Sequence, residues 1–281
     1  MKYCVLYNPK SGGKGRGKDP AKKLRQIMFD DELYYRSMPE IRDFKAFFDE
    51  VKDDIIVCGG DGTLNYFVNK IAGIKYQNHL WYYPTGSGND FHSDTGEDGS
   101  KPYLLDDYLI NLPTVKVDGQ KLKVLNGAGA GLDGFSCAEG ERLRRAGRKT
   151  IDYTFIAIQG FLYKFHPHKI TLTVDGEIYH YDHVWLSPIM HGKFFGGGVK
   201  IAPRQDRHNG KTLTIVVATC PNVLKIMTVF PKIFKGNHEK HTDIVKIFTG
   251  QKIKVELDTS APFQYDGEVI QSVSSYEMWL D

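Results

Sequence analysis

No apolar stretch in this chain of 281 residues approaches the ~18 needed for a membrane-spanning helix. Cysteine is scarce. Cys4, Cys58, Cys137 and Cys220 form no C-x-x-C pair, which argues against a zinc knuckle or a disulfide framework and for free thiols in a reducing compartment. Charge of either sign is not in large excess: a formal net charge of +3 is too small to argue for nucleic acid. The Walker A pattern G-x-x-x-x-G-K-[ST] is missing. The histidines, among them His166, His168, His180, His183 and His191, lack zinc spacing and read as structural or surface groups. The N-terminus enters a strand at once, without a signal-peptide apolar region, so a cytoplasmic location is expected.

What is present is glycine, in loops that follow apolar runs. Gly59-Gly60-Asp61-Gly62-Thr63-Leu64-Asn65 comes after Ile55-Ile56-Val57-Cys58, a buried strand by its composition. It leads into a helical pattern with Leu64, Phe67, Val68 and Ile71 on one face. Glycine lets a phosphate approach the main chain, and a helix start attracts anions. A carboxylate there repels phosphate, so Asp61 is expected to touch a metal, a bound water or a hydroxyl. Taken alone, the loop also reads as a tight turn with Asp61 or Thr63 capping a helix.

Two more loops repeat the design. Asn8-Pro9-Lys10-Ser11-Gly12-Gly13-Lys14-Gly15 follows the apolar run ending at Tyr7, and Thr85-Gly86-Ser87-Gly88-Asn89-Asp90-Phe91 follows Leu80-Trp81-Tyr82-Tyr83. Glycine-bearing loops after successive strands converge on one edge of a parallel sheet, the place where open α/β sheets bind ligands. A shared nucleotide site is the expectation.

These segments resemble the diacylglycerol kinase and sphingosine kinase family of lipid kinases, the bacterial diacylglycerol kinases above all. Gly127 to Asp133, Gly196 to Pro203, and Asp266-Gly267-Glu268 are similar to further family segments in the same order. The resemblance implies an ATP-dependent lipid kinase using Mg2+, with diacylglycerol as the expected acceptor. It implies nucleotide contacts from Asn8, Pro9, Lys10, Ser11, Gly12, Lys14, Ser37, Gly59, Gly60, Gly62, Thr63, Leu64, Asn65, Thr85 and Ser87. Lys14 stands one residue out of register with the family's lysine. Asp61 and Asp90 are implied to position magnesium directly or through water, Asp133 to contact the acceptor hydroxyl, and Glu268 to act as general base. Sequence physics does not separate Asp266-Gly267-Glu268 from a second copy, Asp175-Gly176-Glu177; the resemblance selects the later one. Where the family often has paired aspartates for a structural magnesium, this chain has His208 and Asn209, so that site is not expected.

Strands and helices alternate up to about residue 115, after which hairpins dominate. The expected architecture is an α/β nucleotide-binding domain with a Rossmann-like parallel sheet over 1–115, then a β-rich sandwich over 116–281 that takes the lipid, with chemistry in the cleft between them. Helices are expected over 139–165 and 222–234. Arg142, Arg144, Arg145, Arg148 and Lys149 form a basic run, followed by Tyr153, Phe155, Ile156, Phe161, Leu162, Tyr163 and Phe165. This is the composition of an interfacial helix, and equally of a helix packed on the sandwich. The expected partner is a lipid at a membrane surface, not nucleic acid; homodimerisation is left open. A sphingoid or ceramide acceptor, a soluble-substrate kinase related to NAD kinase and phosphofructokinase, and a nucleotide-binding regulator remain as alternatives.

Overall fold

The computed structural model describes residues 1–9, 20–148, 150–208 and 210–280. The chain forms two compact units, Met1–Asn111 and Leu112–Asp281. The boundary falls ahead of residue 115 because the strand Thr114–Val117 pairs with Tyr276–Trp279, late in the chain.

In the first unit the strands are β1 (Lys2–Tyr7), β2 (Glu32–Ser37), β3 (Asp54–Gly59), β4 (Leu80–Pro84) and β5 (Tyr103–Leu104). The helices are α1 (Pro20–Ile27), α2 (Phe44–Glu50), α3 (Asp61–Ile71), α4 (Asp90–Thr95) and α5 (Asp106–Leu109). Cys4, Val5, Leu6, Ile55, Ile56 and Val57 are fully buried, so successive residues on both faces of β1 and β3 are covered, as parallel strands require. In α2 the buried Phe44, Phe47 and Phe48 share a face, and Asp43 caps the start by accepting from Lys45 and Ala46 N–H. The sheet order is β2-β1-β3-β4-β5, parallel except for β5. The chain leaves β1 to one side for β2 and returns to the other for β3, which makes a topological switch point between β1 and β3.

The second unit is β-rich, as expected. Its strands are β6 (Thr114–Val117), β7 (Gln120–Lys123), β8 (Gly127–Ala130), β9 (His168–Val174), β10 (Glu177–Leu186), β11 (Ile189–Met190), β12 (Leu213–Thr219), β13 (Val245–Gly250), β14 (Lys252–Tyr265) and β15 (Glu268–Trp279). The strand β14 pairs with β9 through Ile253 to Leu257 and with β8 through Phe263 to Tyr265. That double pairing rolls the sandwich until its two faces join. An irregularity between Glu256 and Phe263, which includes Pro262, lets the strand change partner. Leu172, Ile215, Val255, Phe263 and Met278 fill the interior.

The single helix expected over 139–165 is three pieces: α6 (Leu132–Arg145), α7 (Tyr153–Gln159) and a π-helical turn, Gly160–Lys164. Gly147, at φ +88°, ends the first stretch, and Asp152 restarts the helix by accepting from Phe155 N–H. The segment expected over 222–234 is α8 (Val223–Val229) followed by a 3-10 turn. Among the described residues no helix is long and apolar enough to cross a membrane.

Candidate active site

Parallel register brings the carboxyl ends of four strands to one edge. Tyr7 lies opposite Ser37 on one side and Cys58 on the other, and Gly59 lies opposite Pro84. Asn8, Gly60 and Thr85 therefore start adjacent loops across the switch point. Ser37 joins the same edge, its Oγ buried and without a hydrogen-bond partner among the described residues. Pro9 is exposed; Lys10, Ser11, Gly12 and Lys14 lie outside the described residues.

The loops are locked to one another. Thr85 N–H donates to Gly59 O at 2.9 Å. A Cβ on Gly86 would lie 2.5 Å from Gly60 Cα, and one on Gly60 would lie 2.8 Å from Gly86 Cα. A Cβ on Gly59 would meet the Thr63 side chain at 2.4 Å. Loop packing thus accounts for glycine at 59, 60 and 86. It does not account for Gly62, whose added Cβ would meet nothing within 4 Å among the described residues. Within a helix interior glycine costs about 1 kcal/mol relative to alanine, and nearer the end it still adds backbone entropy to be lost. Space kept open at a helix start, exposed and at the switch point, fits an anion that comes close to the main chain.

Asp61 does something the sequence did not predict. Its Oδ2 accepts from Asp90 N–H at 3.0 Å and its Oδ1 from Phe91 N–H at 2.9 Å. The carboxylate caps α4 from a distance of some thirty residues along the chain and fixes the second loop against the third. A carboxylate oxygen can accept more than one hydrogen bond, so this tie does not by itself exclude contact with a metal-bound water. Among the described residues no group of three or more His, Cys, Asp or Glu is arranged to hold a metal. Asp61 and Asp90 alone make no cage, which fits magnesium that arrives with phosphates and keeps its waters. Leu64, expected among the nucleotide contacts, is fully buried and its N–H donates to Gly60 O; it is a packing residue, because neither group faces outward. Asn65 is buried as well, Thr85 and Ser87 exposed.

In the second unit α6 begins in contact with β14. A Cβ on Gly134 would lie 2.0 Å from Pro262 O, and one on Gly129 would lie 3.0 Å from Asp133 Oδ2. Asp133 sits in the first turn of α6, 8% exposed. Its Oδ2 accepts from Gln264 Nε2 at 3.2 Å, while its Oδ1 is buried without a hydrogen-bond partner among the described residues. Burial pushes the Asp133 carboxyl above its ordinary value, against the opposing hydrogen bonds. Cys137, one turn on, is pushed up to about 12 by burial, with Asp133 and Glu268 adding to the effect. Glu268 itself is exposed at the start of β15. The turn before it is anchored by Asp266, whose carboxylate accepts from Leu125, Asn126 and Gly127 N–H at 2.7, 2.8 and 3.2 Å. Gln264 and Asp266 were missed as site-supporting residues. No local pattern marks them, since Asp133, which Gln264 reaches, and Leu125, which Asp266 reaches, lie more than a hundred residues away.

In the segment where the structural magnesium is not expected, Arg207 is buried and donates to Leu125 O and Asn126 Oδ1. A fixed guanidinium already supplies positive charge there, and Asp206 is occupied in capping His208 N–H.

The basic run is partly spent within its own helix. Arg142 pairs with Glu139, Arg145 with Glu141, and Arg144 donates to Tyr153 Oη. Arg148 is exposed, and Lys149 lies outside the described residues. Ile156, Phe161 and Phe165 pack inward, whereas Phe155, Leu162 and Tyr163 are 56%, 55% and 62% exposed.

Comparison with known proteins agrees with this geometry. Residues 2–118 match the diacylglycerol kinase catalytic domain, and residues 127–277 match the YegS C-terminal NAD kinase beta sandwich-like domain. A diacylglycerol kinase of Mycobacterium tuberculosis is 27% identical over 194 residues, 66% of this chain and 61% of that protein. A diacylglycerol kinase of Bacillus subtilis is 24% identical over 284 residues, 94% of this chain and 88% of that protein. The crystal structure of a diacylglycerol kinase from Bacillus anthracis shares the fold, with a TM-score of 0.63 at 19% identity, covering 99% of this chain and 93% of that one.

Proposed function

This chain belongs to the diacylglycerol kinase family, and from that premise we propose that it transfers the γ-phosphoryl group of ATP to the hydroxyl of a membrane lipid, diacylglycerol first among them. The observation that carries the reading is the interlocked edge at the switch point, with space over Gly62 that no described residue fills. Asn8, Pro9, Lys10, Ser11, Gly12, Ser37, Gly59, Gly60, Gly62, Thr63, Thr85 and Ser87 would line the phosphates, and Lys14 would offset their charge. Asp61 and Asp90 would hold magnesium through its waters; when bound, that ion neutralises charge on the phosphates. Asp61 also keeps two loops in register before any ligand arrives. On the acceptor side, Asp133, whose buried Oδ1 has no partner among the described residues, would receive the lipid hydroxyl as it enters, and in the reactive pose that hydroxyl would turn its proton to Glu268. As the hydroxyl oxygen bonds to phosphorus and the bond to the ADP oxygen breaks, the hydroxyl proton would pass to Glu268.

A lipid acceptor requires contact with a surface. Phe155, Leu162 and Tyr163 are exposed in the segment that follows the exposed Arg144 and Arg148, apolar side chains and cations of the kind that settle on anionic lipid from the cytoplasmic side. Vesicles rich in anionic lipid should bind the protein better than neutral ones, and less well as salt rises. Reversing Arg144 and Arg145 to Glu should raise the apparent lipid KM and leave the ATP KM alone; unchanged vesicle binding would remove this surface from the reading.

The deciding test is transfer of labelled phosphate from ATP in mixed micelles. Diacylglycerol, ceramide, a sphingoid base and NAD are offered in separate reactions. Labelled phosphatidic acid is the expected product. Label in ceramide or the sphingoid base moves the acceptor within the lipid class. Label in NAD alone, or ATP binding without transfer, replaces the reading with a soluble-substrate kinase or a nucleotide-binding regulator.

A further inference from the structure

Both ends of one buried amide are used between the two acids of the proposed acceptor site. Gln264, 2% exposed, accepts from Gly267 N–H through Oε1 at 3.2 Å and donates through Nε2 to Asp133 Oδ2 at 3.2 Å. The orientation is not free to flip. A backbone N–H can only donate, so it fixes Oε1 at Gly267 and leaves Nε2 for the carboxylate. Gly267 is bonded to Glu268 along the chain, and Asp133 opens α6, which is pressed onto β14 at Pro262. Asp266 holds the same turn from its other side through Leu125 to Gly127.

We infer that Gln264 is a positioning residue for phosphoryl transfer: its amide ties the turn that carries Glu268 to the Asp133 carboxyl and keeps the two acids at a fixed separation. The inference rests on the function proposed above. The other Asp-Gly-Glu turn offers the internal control. The residue at the matching place is Thr173, and among the described residues neither its side chain nor the Gly176 N–H makes such a bond. Among the described residues nothing ties that turn to a buried acid.

The experiment uses the whole protein and two substitutions. Gln264→Leu removes both bonds. Gln264→Glu keeps the size and the acceptor for Gly267 but loses the donor facing Asp133. Gln264→Leu should lower kcat about 10- to 100-fold with the ATP KM unchanged, the scale expected when a reacting group is misplaced by an ångström or less. Gln264→Glu should lose as much near pH 8, and its kcat relative to wild type should rise as pH falls, because burial beside Asp133 lifts the new carboxyl's pKa and its protonation restores a donor. A folded Gln264→Leu protein with wild-type kcat overturns the inference. If that variant does not fold, a pH-independent ratio for Gln264→Glu overturns it instead. A wild type that phosphorylates no lipid sinks the proposed function, not this tie. The tie is then decided by amide exchange at Gly267 in Gln264→Glu and Gln264→Asn. About tenfold faster exchange in the shortened Gln264→Asn than in Gln264→Glu supports it, and equal exchange overturns it.

Discussion

Asp175-Gly176-Glu177 and Asp266-Gly267-Glu268 are spelled alike and folded alike. The aspartates take φ of 48° and 47°, and the glycines follow at 96° and 91°. Each is the two-residue turn of a hairpin, β9 to β10 in one case and β14 to β15 in the other. Each aspartate also reaches across to another segment, Asp175 to Gln251 and Lys252 N–H, Asp266 to Leu125, Asn126 and Gly127 N–H. Each glutamate is exposed. The surroundings differ. Among the described residues only the later turn lies against a buried acid with an unfilled oxygen, and only there does a buried amide tie turn to acid. The three letters encode a turn. Whatever chemistry follows comes from what the fold sets against it, which is why sequence physics left the two copies equal.

The largest expected difference between the turns is in turnover. Glu268→Gln should lower kcat by about 100-fold or more while sparing the ATP KM, and Glu177→Gln should change kcat less than about twofold. Both are read by phosphate transfer in mixed micelles; a damaging Glu177→Gln with a mild Glu268→Gln reverses the assignment. Next come the two aspartates. Asp266→Asn and Asp175→Asn each weaken an acceptor of backbone amides and should lower stability by about 1–3 kcal/mol in denaturant titrations. The loss should be greater at Asp266, which serves more amides, and only Asp266→Asn should also reduce kcat.

Asp133→Asn sharpens the contrast from the acid's side. Burial raises the folded carboxyl's pKa above its unfolded value, so the folded state holds its proton to higher pH and stability falls as pH rises between the two. Above the folded value the ionised group is a standing cost. The isosteric amide removes it. Thermal melts should show Asp133→Asn more stable than wild type near pH 8, by about 2–4 °C for each kcal/mol, with the difference closing near about pH 4, and activity should fall. The smallest effect tests the likeness itself. Gly176→Ala and Gly267→Ala meet no atoms of the described residues within 4 Å but must adopt left-handed φ. Each should cost about 1 kcal/mol, and unequal losses would break the claim that the turns share one backbone.

The strands and glycine loops of the first unit were legible because both signals are local: an apolar run, then residues that tolerate close approach. The short helix α4 was not. Asp-Phe-His-Ser-Asp-Thr has no apolar periodicity, and its start is held by Asp61 from another loop. The start of α6 was hidden for a related reason. Gly134 and Gly140 are poor helix formers, but Pro262 O and the Tyr153 ring occupy the places where side chains would go. Asp258 to Pro262 carries no alternating apolar pattern, yet β14 runs through it. Of the candidate site, Asp61, Asp133 and Glu268 were named from sequence; the tie made by Asp61 and the supports Gln264 and Asp266 depend on contacts no window along the chain contains.

The double pairing of β14 bears on how the protein is made. Lys254 lies opposite Thr173 and Phe263 opposite Ala130, partners far back along the chain. A ribosome releases β8 and β9 long before β14. At about 5–20 residues per second, those two strands wait on the order of ten seconds with open edges. Closing a sheet through such distant partners is slow even once the last strand has emerged. The first unit, whose strands find neighbours soon after synthesis, carries no comparable delay. Chaperone demand and aggregation during expression should therefore track the second unit, and a translational pause placed just ahead of Lys252 should lower the soluble yield more than the same pause ahead of Leu80.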